Sequence, residues 1–179
     1  NPFWITVPVN LKGHLSGTIN DIRIENSQPW VRKYWGRVQA SYCRHPYFDL
    51  YAADLEKLFK TGFEKLVDLN LALIDFFRTA LKIQTPVLRA SELGVSGKRS
   101  ELLLDICLKT KASKYLSGPS GKDYLDQALF KNHQITLLFH EFSHPTYEAK
   151  NFVPYLSTLD LIMNQGTKSS EILRGAAIS

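Results

Sequence analysis

Short β-rich runs and helical runs alternate through the second half of the 179-residue chain, and this alternation constrains the fold more than any other feature. The strand-like runs lie at 85–90, 114–117 and 135–139. The helical runs lie at 98–109, 122–130 and 155–164, and the last is closed by Gly166. A strand, a helix and a second strand in succession form a βαβ crossover, in which the strands are parallel. The sequence therefore predicts an α/β fold, with a mostly parallel, Rossmann-like sheet that carries helices on its faces.

The first half is expected to add two strands and a mainly helical insertion. Runs at 3–9 and 18–24 have strand character. Apolar residues then recur at helical spacing, which predicts helices near 30–45, 51–59 and 68–80. The rings of Trp30, Tyr34 and Trp35 either pack in the helix core or stack on a ligand, and the spacing favours the core. We predict a single domain over 1–179 with a helical insertion over about 29–82.

The composition is typical of a soluble globular protein, with 44% hydrophobic and 22% charged residues. The net charge of +5 favours phosphate-bearing ligands, but the basic residues do not form the stripe of a nucleic-acid binder. Cys43 and Cys107 lie far apart beside apolar residues, which predicts reduced thiols and a cytoplasmic protein. Because the apolar runs are too short to span a bilayer, we expect neither nucleic acid nor a membrane as a stable partner.

The run His-Glu-Phe-Ser-His at 140–144 matches the H-E-x-x-H pattern of zinc peptidases. The pattern binds zinc only on a helix, where residues four apart share a face. His140 instead follows a predicted strand, and Pro145 disfavours helical dihedral angles at His144. We therefore expect an accidental match and no metal site.

A small, glycine-rich turn at 115–125 leaves a predicted strand and enters a helix. Exposed amides at such a place attract anions, and glycine permits close approach of the backbone. The candidate phosphate-binding residues are Ser117, Gly118, Ser120, Gly121, Lys122 and Asp123. The spacing is not that of a P-loop, and a plain turn with a helix cap explains the same residues.

A second polar cluster, at 91–99, also leads from a predicted strand to a helix. Lys98 and Arg99 can meet a phosphate at the helix start, and Ser91 and Glu92 can bind a hydroxyl or an amine. The alternative is that these residues are solvated loop charges, which is the more common role for such a cluster.

Eight short segments, in order along nearly the whole chain, form a further pattern, at 4–9, 45–48, 68–70, 91–93, 101–107, 115–126, 144–147 and 152–161. The most specific part is Tyr-Leu-Ser-Gly-Pro-Ser-Gly-Lys-Asp-Tyr-Leu at 115–125, followed by His-Pro-Thr-Tyr at 144–147. In these segments the chain resembles the WbqC-like proteins of bacteria. Members of that family begin with a further segment that carries Gln-Pro-aromatic and Gly-Tyr-Phe stretches. We therefore expect that an upstream N-terminal segment is missing from this chain.

The resemblance implies a transferase of surface-polysaccharide biosynthesis, the pathway of O-antigen and lipopolysaccharide. The implied reaction transfers an acyl or aminoacyl group, including glycyl, from an activated donor to the amine of a nucleotide-linked amino sugar. The diphosphate of that sugar is then expected on residues 118–122. The resemblance implies no cofactor.

Transfer to an amine needs a general base, because the attacking nitrogen loses a proton. His144 is the first candidate, since imidazole titrates near neutral pH. Asp160 and Glu92 are candidates for orienting that imidazole or the amine. His144 can instead fix the turn at Pro145, and Asp160 can cap or pair locally within its helix.

Two other classes of function remain open. One is a binding or scaffold protein of the same pathway, which binds nucleotide-sugars without turnover. The other is a nucleotidyl or glycosyl transferase, which needs a divalent metal and paired carboxylates. The chain contains no D-x-D sequence, which counts against the metal-dependent glycosyltransferase.

Overall fold

The computed structural model describes residues 2–10 and 18–176. These residues divide into two units, of which unit 1 comprises 2–10, 18–84 and 144–176 and unit 2 comprises 85–143. Each unit has its own hydrophobic cluster. The single domain expected from the sequence stays a prediction.

Helices dominate the described residues. In chain order the elements are β1 (Val9–Asn10), β2 (Arg23–Ile24), α1 (Trp30–Tyr42), α2 (Phe48–Lys60), α3 (Leu66–Ala80), α4 (Ser100–Lys109), β3 (Lys114–Ser117), α5 (Gly121–Tyr124), α6 (Gln127–Asn132), β4 (Thr136–Phe139), α7 (Thr158–Gln165) and α8 (Ser169–Ala176). Short 3-10 helices lie at Ile19–Asp21, Ala90–Glu92 and Gly166–Lys168. In this part of the chain, no helix has the length and apolar character needed to cross a lipid bilayer.

Unit 1 is a helical assembly built from α1, α2, α3, α7 and α8, with β1 and β2 paired antiparallel. Its core holds Leu69 and Ile162, both completely buried. Each such side chain contributes roughly 1.5–3 kcal/mol to stability through its burial. Trp30 and Trp35 are also buried, and the Tyr34 ring lies 4.9 Å from that of Phe59. These rings are therefore part of the core of the unit, as the helical spacing indicated.

Unit 2 contains one βαβ crossover. Strands β3 and β4 pair parallel, with Tyr115 opposite Leu137 and Ser117 opposite Phe139. Two short helices, α5 and α6, connect them. The second helix begins after Asp126, because the Asp126 carboxylate accepts a hydrogen bond from the Leu129 amide at 3.0 Å. The predicted parallel pairing is confirmed for these two strands.

The prediction of a mostly parallel, Rossmann-like sheet is wrong. In the described ranges the sheets are two, each of two strands, and one of them is antiparallel. The run at 85–90 has no ladder partner and ends in the 3-10 helix, and Val87 and Leu88 are 51% and 62% exposed. Of the runs at 3–9 and 18–24, only Val9 and β2 pair as strand. Strand propensity alone does not form a sheet, because a strand also needs a neighbouring backbone and a buried face.

The helical predictions are largely confirmed. α1, α2 and α3 lie where helical spacing occurs in the first half, and α4 and α7 match the helices expected at 98–109 and 155–164. Gly166 closes α7 with a φ of 54°, a left-handed conformation that favours glycine. α8 was not predicted.

Gly166 offers a test of this packing. An added Cβ at Gly166 meets the Tyr47 ring at 2.3–2.6 Å and must also adopt the positive φ. We expect Gly166→Ala to lower the free energy of unfolding by about 2–4 kcal/mol in urea denaturation. The matched control is Gly36→Ala in α1, where nothing lies within 4 Å and the change should add about 0.5–1 kcal/mol. Equal stabilities of the two variants would contradict the packing of Gly166 on Tyr47.

Candidate functional site

The carboxylate of Asp160 is buried in the first turn of α7, with 7% of the residue exposed. The Tyr147 hydroxyl donates a hydrogen bond to its Oδ2 at 2.7 Å. The Asn164 amide donates to the same oxygen at 3.3 Å and to the Asp160 carbonyl at 2.8 Å. A buried charge is stable only when it is hydrogen-bonded, and this helix start adds favourable backbone dipoles. The sequence-predicted Asp160 is therefore the centre of a polar network.

Two tyrosines near Asp160 have raised pKa values. For Tyr42, burial is the largest cause, and the charge of Asp160 and a hydrogen bond with it add to it. For Tyr147, burial again comes first, followed by the hydrogen bond and the charge of Asp160. Each of these effects disfavours the phenolate. Both hydroxyls therefore stay protonated at neutral pH, and that of Tyr147 donates its hydrogen bond to Asp160.

His144 lies in a group of aromatic rings in the same unit. Its ring centroid is 5.0 Å from Tyr155, 6.2 Å from Phe152 and 6.4 Å from Tyr147. The residue is half-buried, and its Nδ1 atom is buried. Tyr147 thus packs against His144 while its hydroxyl binds Asp160. The structure brings these two predicted catalytic residues together through Tyr147.

A cavity of about 1110 Å³ also lies in unit 1. Its walls come from the turn between α1 and α2, from residues 148–150, and from the end of α7 with the following 3-10 helix. His45 lines it, and so does Asn164, which joins the cavity wall to Asp160. The His45 ring packs against Tyr42 at 5.0 Å, and its buried Nδ1 has no hydrogen-bond partner among residues 2–10 and 18–176. His144 and Asp160 themselves do not line the cavity.

The predicted phosphate turn, at 117–123, belongs to unit 2. Its amides are used within the turn, since Gly121 donates to the Gly118 carbonyl and Lys122 to that of Pro119. Lys122 Nζ also lies 3.2 Å from Glu141. These are the bonds of an ordinary turn, and phosphate binding by Ser117, Gly118, Ser120, Gly121, Lys122 and Asp123 stays a prediction.

Gly121 is required by neighbouring side chains. A Cβ there would lie 2.1 Å from Ser117 Oγ and 3.0 Å from Leu125 Cδ1, whereas nothing lies within 4 Å of a Cβ at Gly118. The groups that approach the Gly121 backbone closely are therefore side chains of the protein itself.

The second predicted cluster is also in unit 2. Ser91 and Glu92 lie in a 3-10 helix, and Glu92 forms an exposed ion pair with Arg89 at 3.4 Å. Lys98 is exposed, and Arg99 precedes α4 with a φ of 51°. Glu92 therefore lies in a different unit from His144 and Asp160, and its catalytic role stays a prediction.

The H-E-x-x-H match does not lie on a helix. Residues 140–144 follow β4 without regular secondary structure, as expected from Pro145. Within the described ranges, no group of three or more His, Cys, Asp and Glu side chains is placed to hold a metal ion.

Sequence reasoning missed four residues of this site, namely Tyr42, His45, Tyr147 and Asn164. A signal for His45 and Tyr147 was present, because a His-Pro pair followed within two residues by a tyrosine occurs both at 45–47 and at 144–147. Asn164 lies four residues after Asp160, which places both on one helix face.

The stability of unit 1 should fall at alkaline pH, because Tyr42 and Tyr147 then lose their protons. Their pKa values are raised by folding above the usual value of about 10, so their contribution is complete below that pH and is lost as pH rises through the folded-state pKa. We expect the free energy of unfolding to fall above about pH 10, and less steeply in a Tyr42→Phe/Tyr147→Phe variant. Urea denaturation at several pH values measures both. Tyr155→Phe, at an exposed tyrosine, is the control. The prediction is contradicted if the free energy of unfolding falls as steeply with pH in the double variant as in this control.

The two glycines of the turn should respond differently to alanine. Gly121→Ala should lower the free energy of unfolding by about 1–3 kcal/mol, because Ser117 and Leu125 must move. Gly118→Ala should leave it nearly unchanged, since its surroundings are open. Thermal unfolding compares the variants, and a larger loss for Gly118→Ala would show that the turn is packed differently.

Comparison with known proteins gives the family of the chain. A model of the WbqC-like protein family matches residues 1–172. The uncharacterized protein Rv1507c of Mycobacterium tuberculosis is 27% identical over 175 residues, which are 96% of this chain and 75% of the relative. No solved structure matches the chain. The family match does not bear out the prediction that an N-terminal family segment is missing. The chain belongs to the WbqC-like protein family.

Proposed function

We propose that the protein is a transferase of surface-polysaccharide biosynthesis. It transfers an acyl or aminoacyl group, including glycyl, from an activated donor to the amine of a nucleotide-linked amino sugar. The observation that carries the proposal is that three segments of the family pattern, 45–48, 144–147 and 152–161, lie together in unit 1. Tyr47 donates its amide to the Met163 carbonyl at 3.2 Å, and Tyr147 binds Asp160. Segments 144–147 and 152–161 thus meet at His144 and Asp160, and segment 45–48 is bonded to the same helix as Asp160, α7.

The reaction forms a bond between the sugar nitrogen and the acyl carbon. The bond from that carbon to the leaving group breaks, and the leaving group departs with the electron pair. The nitrogen loses one proton, which a base must accept. His144 is the proposed base, since a neutral imidazole has a ring nitrogen that can accept a proton.

Asp160 is proposed as a positioning residue. Its carboxylate holds the Tyr147 hydroxyl at 2.7 Å, and the Tyr147 ring packs against His144. This arrangement limits the movement of the imidazole, and a fixed base is more effective than a mobile one. The protonated tyrosines do not compete with His144 for the proton, because burial and Asp160 raise their pKa values.

A His144→Gln variant tests the proposal. Glutamine keeps the approximate size and a hydrogen bond but cannot accept the proton. Loss of a general base lowers the rate by roughly a hundredfold to ten-thousandfold, whereas loss of a turn hydrogen bond costs about 1 kcal/mol of stability. We therefore expect a large fall in kcat with little change in melting temperature. The assay combines nucleotide-linked amino sugars with activated acyl donors and detects the product by mass spectrometry.

The matched control is His133→Gln, an exposed histidine in unit 2 that should keep the parent rate. A His144→Gln protein that melts lower but turns over normally would make His144 a structural residue. Nucleotide-sugars that raise the melting temperature of the parent without being consumed would instead favour a binding or scaffold protein of the same pathway.

A further inference from the structure

We propose that the cavity of unit 1, and not the turn at 118–122, binds the phosphate groups of the substrate, through Arg44, Lys150 and Lys168. The inference rests on the proposed function, because it takes the ligand to be a nucleotide-linked sugar. Its physical basis is the charge of the cavity wall, the way that wall is held, and the size of the space.

The cavity wall carries more positive than negative charge. Arg44, Lys150 and Lys168 line it, against a single carboxylate, that of Glu148. In the part of the chain that the structure describes, none of the three cations forms an ion pair. Other cations do form such pairs, for example Lys60 with Glu56 and Lys122 with Glu141. Like charges around one space repel each other, and a bound anion removes that repulsion.

The three cations come from segments that are fixed to one another. The Tyr47 amide donates to the Met163 carbonyl, which joins the segment after Arg44 to α7. The Gln165 side chain donates to the Glu148 carbonyl, which joins α7 to the segment of Lys150. Gly166, the first residue of the 3-10 helix that ends at Lys168, packs on Tyr47. Backbone positions held in this way lower the entropy lost when a ligand is bound.

The size of the cavity favours a large ligand. Sites for small molecules usually measure about 300–1000 Å³, and this cavity measures about 1110 Å³. The cavity therefore has room for a ligand as large as a nucleoside diphosphate joined to a sugar. Asn164 and His45 add polar groups to the wall, and Arg44 can hold two phosphate oxygens at once.

In contrast, the turn at 118–122 offers less to an anion. Its Gly121, Lys122 and Asp123 amides already donate to carbonyls of the turn. The Lys122 charge is paired with Glu141. α5, which follows, has only four residues. The turn at 118–122 therefore offers an anion fewer unpaired charges and fewer unused hydrogen-bond donors than the cavity does.

Cys43 provides a local reporter. It is exposed and lines the cavity, whereas Cys107 is 3% exposed and burial raises the pKa of its thiol. A neutral reagent such as iodoacetamide should therefore alkylate Cys43 selectively, because the thiolate is the reacting form and Cys107 is shielded. A ligand in the cavity should slow that alkylation.

The experiment measures binding of inorganic pyrophosphate by calorimetry and protection of Cys43 by uridine diphosphate glucosamine, at fixed ionic strength. Each of Arg44→Gln, Lys150→Gln and Lys168→Gln should weaken pyrophosphate binding about tenfold, the loss expected for one charge-assisted hydrogen bond. Lys33→Gln, an exposed lysine of α1 that does not line the cavity, is the matched control and should bind as the parent does. Saturating uridine diphosphate glucosamine should slow Cys43 alkylation about fivefold or more.

The proposal is overturned if Cys43 is not protected, or if the three variants bind pyrophosphate as Lys33→Gln does. It is also overturned if Gly118→Asp, which adds a carboxylate to the open side of the turn, abolishes binding while the three variants retain it. The proposed function fails separately. Binding in the cavity with no transfer from any acyl donor would reject the transferase and leave the phosphate site standing. Transfer at the parent kcat/KM in all three variants would reject the phosphate site and leave the transferase standing.

Discussion

The buried carboxylate of Asp160 is the constraint on which the arrangement of unit 1 depends. A charge at this depth costs several kcal/mol unless donors surround it. Tyr147 donates from the segment before α7, Asn164 donates from α7 itself, and Tyr42 approaches from the end of α1. Removing one of these donors would leave the others around an under-satisfied charge. The network therefore fixes three distant parts of the sequence at one point.

The cavity follows from that fixed point. Because Tyr42 is held near Asp160, the turn after α1 must pass the end of α7, where Tyr47 contacts Met163 and Gly166. Only glycine fits at position 166, since the backbone has a positive φ and the Tyr47 ring fills the space of a Cβ. The wall of the cavity is thus built from contacts that also stabilise the helices.

The sequence predicted local structure well and assembly poorly. Periodic apolar residues predicted α1, α2 and α3, because the residues of one helix face recur at a regular interval in the sequence. The runs at 85–90 and 135–139 were both predicted to be strands, but only the second finds a parallel partner, as β4 with β3. Partner choice depends on the whole chain and leaves no local signal. For the same reason His144 and Asp160 were identified singly, whereas Tyr42 became visible only through its contacts.

The neutral character of the donors around Asp160 has an electrostatic consequence. The hydrogen bonds described for its carboxylate come from the Tyr147 hydroxyl and the Asn164 amide, and not from a lysine or an arginine. A cation placed on Asp160 would have used one positive charge of the unit. Hydroxyl and amide donors stabilise the carboxylate but do not cancel its negative charge. The attraction of an anionic ligand to the cavity therefore depends on Arg44, Lys150 and Lys168, whose three positive charges outnumber the carboxylates of Asp160 and Glu148.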